Sequence, residues 1–97
     1  MSVVVRHQPR GLTREQYDEV SRRMERGGDW PPDGMDMHVM FGSEGDLRVS
    51  EIWDSEEQFR AFQRRLEAAL DEVGVSYTEA EVFPAHELQK RPQTAAA

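Results

Sequence analysis

Ninety-seven residues with a net charge of −7, of which 37% are hydrophobic and 32% charged, are enough for one compact domain and too few for two. The chain has no cysteine, which excludes disulfides, thiolate metal sites and cysteine catalysis and fits a reducing cytoplasm. Basic residues are interspersed with acids, as in Arg22-Arg23-Met24-Glu25-Arg26, so the clustered positive face that binds nucleic acid is not expected, and no run approaches the roughly 20 apolar residues of a membrane span.

Val3-Val4-Val5-Arg6-His7-Gln8 is short, β-branched and closed by Pro9 and Gly11, which predicts a first strand. Its three consecutive apolar residues are too few for a signal peptide. His7, at the end of this strand, is expected to be exposed. In the following segment Thr13 can cap a helix, Gln16 completes a capping box, and Leu12 can staple against Tyr17. Tyr17, Val20 and Met24 then recur at helical spacing, and Gly27-Gly28 ends the helix. The loop Asp29-Trp30-Pro31-Pro32-Asp33-Gly34 can be neither helix nor central strand.

Two strands follow, Met35 to Phe41 and Leu47 to Trp53, joined by Gly42-Ser43-Glu44-Gly45-Asp46 as a hairpin. Asp54-Ser55-Glu56-Glu57-Gln58 carries two overlapping capping boxes and an acidic first turn, both of which favour a helix start. Phe59, Phe62, Leu66, Leu70 and Val73 line one side of that second helix, and Gly74 caps it. Val75 to Phe83 reads as a fourth strand, stopped by Pro84. The domain is expected over 1–89, with a frayed tail over 90–97.

The order β-α-β-β-α-β with amphipathic helices predicts an α+β, ferredoxin-like fold: a four-stranded antiparallel sheet with both helices on one face. Along Met35 to Phe41, one face carries Met35, Met37, Val39 and Phe41 and the other Asp36, His38 and Met40. Helices cover one face only, so apolar residues on both predict a second subunit stacked on the open side, hence a homodimer.

Val49-Ser-Glu-Ile-Trp-Asp-Ser-Glu-Glu-Gln-Phe59 resembles the strand-to-helix junction of the dimeric α+β barrel superfamily, the antibiotic-biosynthesis-monooxygenase-like proteins. The resemblance implies two ferredoxin-like units packed sheet to sheet, with a ligand pocket between each sheet and its helices. Haem-degrading members use an Asn on the first strand and a Trp and a His ten residues apart on the second helix. This chain has no asparagine, and Phe62 and Glu72 stand at the matching helix positions, which counts against that chemistry. Cofactor-free quinone-forming oxygenases also use an Asn, so the same absence counts against them. Polyketide cyclases, isomerases and small-ligand sensors remain as looser relatives.

His38 is the polar residue that stands out in the run MDMHVMFG. If Glu44-Gly45 is the two-residue turn, His38 lies opposite Glu51, Met40 opposite Val49 and Asp36 opposite Trp53. A three-residue loop would bring Ser50 opposite His38 instead. In the first register a carboxylate holds one imidazole nitrogen and prepares the other as a general base. The competing reading is a satisfied semi-buried pair with no chemistry. His38 and Glu51 are the candidate catalytic residues. Trp53, Tyr17, Met40, Phe62, Trp30 and His86 are the candidate substrate-binding residues, with Trp30 as a lid and His86 at an interface or pocket mouth. One His and one Glu are too few ligands for a metal unless His7 and His86 converge with them, so no metal and no cofactor is expected.

Three functions fit. One is a cofactor-free oxygenase, cyclase or isomerase acting on a small aromatic or polyketide-like molecule. Another is a non-catalytic binding module for a hydrophobic ligand, or for haem with His38 as axial ligand. The third is a structural dimeric domain. Phosphate-binding glycine loops, nucleophile elbows, zinc motifs and calcium loops are absent from the sequence.

Overall fold

A computed structural model describes residues 1–92 of the chain. Its order is β1 (Val3–His7), α1 (Arg14–Arg26), β2 (Met35–Ser43), β3 (Asp46–Trp53), α2 (Glu56–Val73) and β4 (Glu81–Pro84). The four strands form one sheet in the order β2-β3-β1-β4, and every pairing is antiparallel. This is the expected ferredoxin-like α+β fold. Residues 93–97, most of the anticipated tail, lie outside the described residues.

The helix ends follow the local chemistry. Thr13 Oγ1 accepts from the Gln16 amide at 3.2 Å while the Gln16 side chain accepts from the Thr13 amide at 3.0 Å, which completes the capping box. Leu12 and Tyr17 pack in one cluster, as a staple requires. Of the two anticipated boxes on α2, Ser55 supplies the cap, accepting from the Gln58 amide at 3.2 Å. Gly74 closes α2 with φ +83°, a left-handed conformation that glycine adopts without a Cβ penalty.

Alternation along the strands sends Val3, Val5, Trp53 and Met35 inward, where they meet Val20 and Met24 of α1 and Phe59, Phe62 and Ala69 of α2. Trp53, Phe59 and Phe62 are essentially sealed, and each contributes about 1.5–3 kcal/mol or more by leaving water. No helix among the described residues covers the other face of the sheet. Met37, Val39, Phe41 and Phe83 remain 39–46% exposed on it. The ladder pairs Met37 with Ile52, Ile52 with Val4 and Val4 with Phe83, an apolar row across all four strands.

Two expectations about the strands are corrected. A β-bulge between Met35 and Met37 leaves Asp36 without a ladder partner, and Trp53 faces Met35 instead. The extra residue turns Met35 into the core while Met37 points outward. The fourth strand is also shorter than the sequence pattern implies. It can pair only with β1, and that ladder ends at Arg6↔Glu81, just ahead of Pro9, which has no N–H to donate. Residues 75–80 therefore run without strand pairing, although Val75 and Ala80 are still buried.

Candidate active site

The β2–β3 hairpin turns at Glu44-Gly45, with Ser43 facing Asp46. Gly45 has φ +80°, as a two-residue hairpin turn demands. Gly42 is equally constrained, because at φ +109° a Cβ would lie 2.6 Å from the Asp46 carbonyl oxygen. These glycines set the register that puts His38 opposite Glu51 and Met40 opposite Val49, as the two-residue turn predicts.

Glu51 is only 2% exposed, and three side chains converge on it. His38 Nδ1 lies 2.8 Å from Oε2, His7 Nε2 3.1 Å from Oε1, and Trp53 donates from Nε1 to Oε1 at 3.0 Å. Burial pushes the carboxyl pKa up, but the hydrogen bonds from His38, His7 and Trp53 and the nearby His7 charge outweigh it and hold the value at about 2. Glu51 is therefore an ionised carboxylate at neutral pH, and an ionised carboxylate only accepts. Both imidazoles must donate to it, so the His38 proton sits on Nδ1 and the His7 proton on Nε2.

That assignment leaves Nε2 of neutral His38 as an acceptor. Tyr17, projecting from α1, reaches it with its hydroxyl at 2.7 Å. Burial raises the Tyr17 pKa, which keeps the phenol protonated and donating. The chain of bonds therefore runs from the Tyr17 hydroxyl through the His38 ring to Glu51. Trp30 packs edge-on against His38 with centroids 4.9 Å apart, and Phe62 lies 6.4 Å beyond it.

These groups enclose a cavity of about 80 Å³ between the sheet and both helices, several times what one water needs. His7, Tyr17, Trp30, His38, Glu51 and Phe62 all line it, and the rest of its wall is mainly apolar. Five anticipated site residues thus converge: His38, Glu51, Tyr17, Trp30 and Phe62. Three do not line the cavity. Trp53 is sealed in the core and reaches the site only through its bond to Glu51. Met40 packs beside Leu12, Leu47 and Val75. His86 is exposed just past β4.

His7 is the residue that the sequence reading misplaced. It is 9% exposed and packs its ring edge-to-face against Phe59. The period-2 alternation Val3, Val5, His7 carried the signal, since three inward positions in a row predict a buried imidazole. Tyr77, which accepts a hydrogen bond from the Gln63 side chain, also lines the cavity and was not anticipated. No group of three or more side chains among the described residues is arranged to hold a metal ion, and no described helix is long and apolar enough to cross a membrane.

Solved structures share this architecture. SnoaB from Streptomyces nogalater, a cofactor-independent oxygenase, is similar at a TM-score of 0.62 and 14% identity, over 93% of this chain and 97% of that one. A candidate antibiotic biosynthesis monooxygenase from Deinococcus radiodurans is similar at 0.58 and 13%, over 96% of this chain and all of that one. MupZ from Pseudomonas fluorescens is similar at 0.62 and 10%, over 98% of each chain. No family model and no curated protein matches the sequence. At these identities the likeness is one of fold, and the fold is the ferredoxin-like one of the antibiotic-biosynthesis-monooxygenase-like proteins.

Proposed function

We propose that this chain is a cofactor-free enzyme acting on a small aromatic or polyketide-like molecule, with His38 as general base. The observation that carries the reading is the 2.8 Å bond from His38 Nδ1 to a buried carboxylate, made on the wall of an apolar cavity. Glu51 fixes the tautomer and compensates the positive charge that develops when Nε2 takes a proton. The proton comes from an acidic C–H beside a carbonyl, whose bonding electrons pass into the carbonyl to give an enolate. The Tyr17 hydroxyl, now on Nε2, is placed to donate to the enolate oxygen once the substrate proton replaces it there. Trp30 and Phe62 offer aromatic surface to a planar ligand.

That the similar SnoaB is a cofactor-independent oxygenase supports chemistry without a prosthetic group. The reading includes a homodimer joined through the helix-free sheet face, where Met37, Val39, Phe41 and Phe83 would leave water, and a cytoplasmic location.

Proton abstraction is tested with allyl phenyl ketone in D₂O, following exchange at the methylene carbon by NMR. Wild type exchanges it, and His38→Gln, with its fold checked by circular dichroism, loses roughly 10²–10⁴-fold in rate. Undiminished exchange in that variant removes His38 from the mechanism.

A further inference from the structure

We infer that His7 is a second catalytic acid–base residue of this site, returning to one carbon of the substrate the equivalent of the proton that His38 takes from another. This inference rests on the reading of His38 as general base and names the class of reaction that follows, a relocation of a proton within an enolisable ketone. Three observations carry it. Both imidazoles line one cavity. Both are tied to the same carboxylate, His38 to Oε2 and His7 to Oε1. His7 also keeps a ring nitrogen for a ligand, because Nε2 is bonded to Glu51 while no protein group among the described residues bonds Nδ1. Since no buried polar side-chain atom among those residues lacks a partner, Nδ1 is not sealed away.

Charge makes the two rings reciprocal. One buried carboxylate compensates one imidazolium, and a second positive charge in so apolar a cavity is costly. The Tyr17 hydroxyl on His38 Nε2 requires that nitrogen as an acceptor, so the proposed cycle starts with the extra proton on His7. The other titratable groups lining the cavity are Glu51 on β3, Tyr17 on α1 and Tyr77 before β4. Neither tyrosine carries charge near neutral pH, since burial raises the pKa of both phenols. As Nε2 of His38 accepts a proton from the substrate, the carboxylate can no longer compensate both rings, and His7 becomes the acid.

The step balances without oxidant or co-reactant. A C–H bond α to the carbonyl breaks, its proton goes to His38 Nε2, and its electron pair enters a dienolate. A new C–H bond then forms at the γ carbon from the proton on His7 Nδ1. His38 leaves the cycle protonated and His7 neutral, and water restores both through the small exposed areas of their side chains, 18% and 10%.

The first test needs no substrate. Titration of the two imidazoles by ¹⁵N NMR is expected to show coupled midpoints, with that of His38 moving when His7→Gln removes the second titrating ring while keeping a donor to Glu51. A His38 midpoint that does not move overturns the assignment. The second test uses allyl phenyl ketone in D₂O. Wild type converts it to crotonophenone with deuterium in the terminal methyl group. In His7→Gln the ratio of conversion to methylene exchange is expected to fall about 10²-fold. Conversion by His7→Gln at the wild-type rate removes His7 and leaves His38 as base. Undiminished exchange in His38→Gln brings down the underlying reading, so the two failures are distinct.

Discussion

His38 on β2 and Glu51 on β3 face each other across the hairpin ladder with Nδ1 and Oε2 2.8 Å apart, and the pair turns toward the helices rather than toward the open face of the sheet. Both facts come from one short turn. A shift of one residue would send His38 to the other face and leave Glu51 with one imidazole fewer.

The turn is therefore the place to perturb the site from a distance. Gly42→Ala sets a Cβ 2.6 Å from the Asp46 carbonyl oxygen at a φ of +109°, which alanine adopts only under strain. The variant is expected to lose about 1–3 kcal/mol in urea denaturation, with altered His38 ring resonances although residue 42 touches no part of the cavity. Wild-type stability together with an unchanged His38 spectrum would mean that the hairpin tolerates another turn.

Glu51 links the site to acid stability. Its carboxyl has a pKa of about 2 in the folded chain against 4.5 as the ordinary value. A lowered folded-state pKa stabilises the fold above the ordinary value, and that contribution is lost as pH falls through the folded one. The loss should run from about pH 4.5 down to 2 and amount to roughly 3 kcal/mol. Glu51→Gln abolishes this component of the pH dependence. It also costs about 3–5 kcal/mol at pH 7, because an amide cannot accept from both imidazoles and the Trp53 indole at once. Denaturation of both proteins across that pH range measures the difference, and identical slopes would refute it.

Tyr17→Phe removes the hydroxyl from His38 Nε2 without emptying the space that the ring fills. A loss of about 1 kcal/mol in stability is expected. If the hydroxyl donates to a developing enolate, the rate of proton abstraction falls by more than that stability change would suggest, as steady-state kinetics on the ketone would reveal. An unaltered rate would confine Tyr17 to packing.

The helix-free sheet face bears on assembly. Met37, Val39, Phe41 and Phe83 are exposed together in the single chain. Sedimentation of wild type should give a dimer. Val39→Lys should shift it to monomer, because an ammonium in the middle of a dry sheet-to-sheet contact would have to shed its water. A monomeric wild type would end the barrel interpretation.

Much of this protein can be read from residue spacing. The capping box at Thr13 and Gln16, the left-handed cap at Gly74 and the apolar periods of both helices fix element order, and with it the fold, because those signals are local. The His38–Glu51 pairing was legible only as one of two registers, and the folded turn at Glu44-Gly45 selected it. What lay beyond local reasoning was set by partners distant in the chain. The bulge at Asp36 and the short β4 depend on which neighbouring backbone is available to pair. The inward turn of His7 is visible in the alternation of β1, but its junction with Glu51 exists only because β1 lies beside β3 in the sheet, placing residues 44 apart in sequence within 3.1 Å. A strand specifies which of its side chains share a face. Only the packed sheet decides which residue of another strand each of them meets, and here that decision gave one buried carboxylate two imidazoles.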